Sequence, residues 1–331
     1  MLADDLDTLV AEAERDARPW LGVLFYSQPH FPYTSTAPHY ETWAVGGADP
    51  ALAFGRNVAT GPTRTAEDRA QIDALYRGAL AETDEAIARL LASLEARGAL
   101  DDTIVVVTAD HGEGLEECPG CSGHGDNLRG MMSIEVPLAF RLPQRRYPDA
   151  RPARVEAHVS QLDLYPTLLA LLGAPKVAIH EGVALLDPHG APVAPPPDRT
   201  LFVETGEWLW PTPAVPTDRL DYPPITGLAT EESGRIVVPE AWLPIVRAAK
   251  HRVALRWPWK LVYRPERAAI ALSLYDAERD PLDEHDVAAA HPDVVIALAD
   301  ALRRSVLRYP HMLETAGYFL TRPSAPREEY Y

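Results

Sequence analysis

The chain has 331 residues and a formal net charge of −17, from 48 Asp and Glu against 31 Lys and Arg, so it lacks the basic footprint that a nucleic-acid binder needs. Apolar residues make up 47% and charged residues 24%, a globular balance that excludes a mostly disordered chain. Two cysteines cannot staple this length, which allows roughly two domains or one large domain with an appendage.

The start, MLADDLDTLVAEAERDARPW, carries neither a basic n-region nor an apolar h-region. The longest apolar stretch, Leu164 to Pro175, falls short of the ~20 residues that cross a bilayer. The sequence therefore reads as soluble, without an export signal, and leaves its compartment unassigned.

Ala3 to Ala17 has helical spacing, with Leu6, Leu9, Val10 and Ala13 on one face and Asp4 or Asp5 as N-cap. Trp20 to Tyr26 is a short apolar run that predicts a strand buried on both faces. Thr65 to Arg97 predicts a long helix stopped by Gly98. Thr103 to Thr108, rich in β-branched residues, predicts a second buried strand. Pro137 to Leu142 is a third, followed by a helix around Leu162 to Leu172 that Gly173 closes. This alternation predicts an α/β fold with a mostly parallel sheet flanked by helices.

Beyond a Pro-rich stretch, Thr200 to Glu204, His251 to Trp257, Lys260 to Arg264 and Leu272 to Asp276 read as closely spaced strands. His291 to Tyr309 gives a closing amphipathic helix. The expected organisation is residues 1–198 as an α/β domain and 199–331 as a small antiparallel α+β subdomain.

The strongest chemical signal is Asp110-His111-Gly112-Glu113, directly after the apolar strand. Ligands of open parallel sheets sit beyond the carboxyl ends of strands. A carboxylate oxygen and an imidazole nitrogen there suit Ca²⁺, Mn²⁺ or Zn²⁺, depending on the remaining ligands. A polar strand-end turn is the competing explanation. His30 follows the first apolar run, and His124 lies in the loop SGHGDN. Taken together, these residues match what transfer of a sulfuryl or phosphoryl group requires: a cation on the non-bridging oxygens and donors for the anion and leaving group. Glu113 and Glu116 read as solvated loop carboxylates. Cys118 and Cys121 read as a loop clip.

An ordered series of segments now resembles the sulfatase branch of the alkaline phosphatase superfamily: HFPY (30–33), IVVVTADHGE (104–113), GHGDNL (123–128), VPLAF (136–140), QLDLYPTLLALLGAP (161–175), WKLVYRP (259–265) and LYDAERDP (274–281). The resemblance implies an alkaline-phosphatase-like fold and hydrolysis of sulfate esters of small molecules, glycans or lipids. It implies Asp110 and His111 as ligands of one divalent cation, Ca²⁺ ahead of Mn²⁺ or Zn²⁺. His30 and His124 become the catalytic and substrate-binding residues. Related phosphoethanolamine or phosphoglycerol transferases, phosphonate or phosphodiester hydrolases, and a non-catalytic anion- or partner-binding remnant remain alternatives.

One departure stands out. Enzymes of this kind carry acidic ligands and a Cys, Ser or Thr nucleophile ahead of the segment matching HFPY, and only about thirty residues precede it here. LADDLD (2–7) mimics the acidic motif but leads into a helical pattern, and Thr60-Gly61-Pro62-Thr63-Arg64 mimics the nucleophile motif but follows His30. The expectation is a chain with no nucleophile, little turnover alone, and a missing N-terminal half.

Overall fold

A computed structural model of the protein describes residues 8, 10–13, 15, 18–43, 65–118, 121–125, 127–175, 181–206, 220, 227–231 and 233–322. The two lookalike motifs, at 2–7 and 60–64, lie outside these residues. In the predicted first helix, Thr8, Val10–Ala13 and Arg15 are helical. A short helix α1 (His39–Trp43) precedes the long α2 (Ala66–Ala96).

Thr65 caps α2. Its hydroxyl accepts from the Asp68 amide at 3.1 Å, and the Asp68 carboxylate accepts from the Thr65 amide at 2.9 Å, so two orphan donors of the first turn are satisfied. Gly98 follows the end of α2 with φ 70°, a left-handed turn that glycine adopts without strain. The helix buries Leu90 and Leu94 with Val10 and Leu100, against Trp20, Leu24 and Val105. Further toward its N-terminus, Ile72 and Leu75 pack on Tyr33.

Strand β1 (Val105–Thr108) pairs antiparallel with β4 (Leu138–Arg141). Between them lies a two-residue pairing of β2 (Gly114–Leu115) with β3 (Ser122–Gly123). Helix α3 (Leu164–Leu172) ends at Gly173, as its sequence predicts. Strands β6 (Ala229–Thr230) and β7 (Ile236–Val237) pair with each other, ahead of helix α4 (Leu243–Ala248).

The C-terminal region is a four-stranded sheet in the order β10 (Ile270–Asp276), β9 (Trp259–Pro265), β8 (Arg252–Arg256), β5 (Leu201–Glu204). Residues alternate between its two faces. Ala254, Leu261 and Leu274 meet Leu298 and Leu302 of helix α5 (Pro292–Leu307) on one side. On the other, Val253, Leu255, Val262 and Tyr275 meet Leu128 and Met131 of the loop that follows β3. A hairpin of β11 (Met312–Thr315) and β12 (Tyr318–Thr321) closes the chain over this region, where Phe319 joins the α5 face.

Two expectations need correction. Every ladder among the described residues is antiparallel, so the parallel sheet is not formed there. Trp20 to Tyr26 is not buried on both faces: Trp20 and Leu24 pack inward, but Leu21, Val23 and Phe25 are 86%, 85% and 68% exposed. The run also forms no strand: it joins no ladder among the described residues, and α2 with its neighbours covers it from one side only, whereas burial on both faces needs a sheet with elements packed on each. No described helix is long and apolar enough to cross a membrane.

Candidate active site

Asp110 and His111 stand in the turn just past β1, as the sequence places them. That turn is braced from two sides. Gln161 donates from Nε2 to the Asp110 and Ala109 carbonyls at 2.9 and 2.5 Å. The Gly112 amide donates to the Ser133 carbonyl at 3.2 Å, and a Cβ at Gly112 would come within 1.9 Å of the Met132 carbonyl oxygen. Only glycine permits that approach. Gln161 lay inside a family segment but carried no signal of its own in the sequence.

His111 Nε2 is 3.6 Å from Asp110 Oδ2, while its Nδ1 is 2.8 Å from the Gly112 carbonyl. A proton on Nδ1, donated to that carbonyl, leaves the Nε2 lone pair on the Asp110 side. Bonds of roughly 2.0–2.6 Å to one cation allow such a separation between two donors. The pair therefore fits two positions of a divalent-cation shell. Among the described residues no third His, Cys, Asp or Glu donor completes a cluster with them.

His30 and His124 come to the same place. The His111 and His124 rings stack with centroids 3.9 Å apart, and His30 meets His124 edge-on at 5.0 Å. His30 Nδ1 is 2.6 Å from the Phe31 carbonyl, which fixes that ring. His124 Nδ1 is 2.9 Å from Glu113 Oε2.

Glu113 corrects a sequence expectation, because it is buried rather than solvated. Beside it lies the buried Tyr33 phenol. Burial pushes that phenol well above its ordinary pKa, and the Glu113 charge adds to the rise. A carboxylate only 9% exposed is expensive unless it meets a cation or donors, and His124 is a partner the fold supplies. Sequence reasoning missed this because a carboxylate in a Gly-rich loop gives no sign of burial.

Cys118 and Cys121 form a buried disulfide with Cα atoms 5.1 Å apart, closing the hairpin between Glu113 and His124. Both sulfurs are consumed by it, so neither cysteine is available as a nucleophile. A cavity of about 900 Å³ opens beside Asp110 and His111, with Asn127, Ser133, Arg154 and His158 in its wall; His30 and His124 stand outside that lining. Asp280, Glu284 and His285 also lie close together, but Asp280 already accepts from the Glu284 and His285 amides at 3.0 and 2.8 Å in a surface turn.

The sulfatase family profile matches residues 1–174. An ulvan-active sulfatase of Formosa agariphila is 29% identical over 170 residues, covering 51% of this chain and 32% of that protein. The multifunctional alkaline phosphatase superfamily protein PehA of Trinickia caryophylli is 26% identical, covering 52% of this chain and 38% of its own. The chain thus spans about a third of the length of these relatives. In structure it resembles a putative sulfatase of Bacteroides fragilis (17% identity, TM-score 0.63, 93% of this chain and 58% of that one). It also resembles the phosphonate monoester hydrolase of Agrobacterium radiobacter (22% identity, TM-score 0.58, 89% and 59%). The fold is therefore alkaline-phosphatase-like α/β, and the chain belongs to the sulfatase family of that superfamily.

Proposed function

We propose that this chain forms the metal- and anion-binding side of a sulfate-ester hydrolase. The observation that carries the reading is the convergence of His30, His124, His111 and Asp110 at one strand end, linked by 5.0, 3.9 and 3.6 Å separations. Sulfatases generally use a divalent metal. Asp110 and His111 would hold it here, with Ca²⁺ ahead of Mn²⁺ or Zn²⁺, and when bound it supplies charge that offsets the non-bridging oxygens of the ester.

The chain's own residues do the rest. His124, oriented by Glu113, and His30, oriented by the Phe31 carbonyl, hold the anion and place a proton near the leaving oxygen. Glu113 keeps the His124 Nδ1 proton in place, so the ring meets substrate through Nε2. Both cysteines are held in the disulfide, and Ser133 in the cavity wall donates its hydroxyl to the Arg129 and Gly130 carbonyls at 3.3 and 3.5 Å, so none of them is assigned as the nucleophile. Without a covalent acceptor the remaining donors can orient an ester but cannot divide the reaction into two easier steps. Phosphate or phosphonate esters are the second reading, favoured by the similarity to PehA.

Calorimetry with inorganic sulfate and with phosphate, each with Ca²⁺, Mn²⁺ or Zn²⁺ present, tests the reading on the whole chain. Sulfate binding should weaken about tenfold or more in His124→Ala, as expected for loss of a charge-assisted hydrogen bond. Metal binding should disappear in Asp110→Ala/His111→Ala. Unchanged binding in these variants would overturn the assignment, and tighter phosphate than sulfate binding would favour the second reading.

A further inference from the structure

A second cleft, of about 460 Å³, lies between α4, the end of α5, the β5 edge and the closing hairpin; Leu162, Phe202, Val203 and Glu204 separate it from the cavity beside Asp110 and His111, and none of the four cluster residues lines it. Four cations line it: Arg247, Lys250, Arg252 and Arg308. Two carboxylates, Glu181 and Glu204, answer them. The local surplus of two positive charges stands against a chain whose net charge is −17.

The pairing inside the cleft is unequal. Glu204 is shared between Lys250, at 2.9 Å, and Arg252, at 3.3 Å. Arg252 is itself buried, donates to the Lys250 and Arg247 carbonyls, and lies over the Phe319 and Tyr263 rings. It is a fixed charge in the floor. Burial pushes its pKa down, while Glu204 opposes that shift. Arg308 pairs with Glu181, which also accepts from the Tyr309 hydroxyl. Arg308 is 42% exposed, and solvent screens an ion pair of that kind, so an incoming anion can take over the guanidinium at little cost.

The remaining wall is apolar, supplied by Phe202, Val306, Met312 and Leu162. A cationic rim over an apolar wall selects a ligand with both characters, because the wall gains nothing from a small hydrated ion and the rim nothing from a hydrocarbon. We propose that this cleft binds an amphipathic organic anion: an apolar or aromatic body carrying a sulfonate, sulfate or carboxylate head, held by Arg308 and Lys250.

The probe is 1-naphthalenesulfonate, titrated into the full chain, with the neutral naphthalene-1-sulfonamide alongside. The sulfonate should bind and the sulfonamide should bind at least about tenfold more weakly. Arg308→Gln and Lys250→Gln should each weaken sulfonate binding by a similar factor, whereas His124→Ala should leave the Arg308- and Lys250-dependent binding in place. Val306→Ser separately tests the wall and should weaken both probes. Equal sulfonate affinity in wild type, Arg308→Gln and Lys250→Gln overturns the proposal, as does equal binding of the two probes. Loss of binding in His124→Ala alone would place the sulfonate at the histidine cluster, which overturns this cleft and leaves the proposed function standing.

Discussion

Two apolar runs of strand type sit in very different surroundings. In the C-terminal sheet, Val253, Leu261 and Leu274 are fully buried, because α5 covers one face and the Leu128–Met131 loop the other. In the N-terminal run, Trp20 and Leu24 are tucked against α2 while Leu21, Val23 and Phe25 face outward. Both runs carry the same sequence signal, since periodicity reports what a strand could bury and not whether a neighbour is there to bury it. The C-terminal sheet is covered on both faces, one of them by a loop from earlier in the chain. The N-terminal run is covered on one side only.

The largest effect that sharpens this contrast concerns the joint between the two regions. Lys260 of β9, with no solvent exposure, donates to the Leu128 and Gly130 carbonyls, each at 2.8 Å, and to Asp283 at 2.6 Å. Asp283 also accepts from the Gly130 amide at 2.8 Å. Removing one partner strands a buried charge, so Lys260→Met or Asp283→Asn should cost about 3–5 kcal/mol in urea unfolding. The double variant should cost clearly less than the two added together. Additive costs would show that the pair is not coupled.

A smaller effect concerns pH. Burial pushes the Tyr263 phenol up to about 12 from an ordinary value near 10. With the folded pKa above the unfolded one, its contribution is complete below about pH 10 and is lost as pH rises through 12. Two units correspond to roughly 2–3 kcal/mol. Lys260, whose pKa burial lowers, has the opposite slope below its unfolded value, so the measurement is the difference between wild type and Tyr263→Phe. That difference should shrink between pH 9.5 and 12. A constant difference would remove the linkage.

Much of this was legible in the sequence. The helices from Ala66 and Pro292, the strands from Leu201 to Asp276 and the glycine stops at 98 and 173 follow from periodicity and turn chemistry. Asp110 and His111 could be placed because a strand rich in β-branched residues ends just before them, although the structure leaves that strand half-buried rather than buried. What brings His30, His124 and Glu113 together was not legible from spacing, because they meet through loop closure: the Gly112 approach to Met132, the Gln161 brace and the Cys118–Cys121 hairpin. Such contacts lie between segments far apart in the chain. The burial of Glu113 is of the same kind, since only its surroundings distinguish it from Glu116.

The smallest effect on stability, and the most direct test of the contrast, lies in the exposed row itself. Val23 is 85% exposed, so its side chain has almost no contacts to lose. Val23→Lys should therefore change unfolding free energy by no more than about 0.5 kcal/mol, whereas Val253→Ala in the closed sheet should cost roughly 1–3 kcal/mol by leaving a cavity. The lysine should show its effect elsewhere. An extended segment with three outward apolar side chains and no strand beside it among the described residues is a template for edge-to-edge pairing, and a charge in its middle blocks that pairing. Concentration-dependent light scattering of the wild-type chain should thus fall in Val23→Lys, with no change in urea midpoint. A midpoint that drops by more than the cavity variant would mean the row is packed in solution, and that the two regions are equally closed.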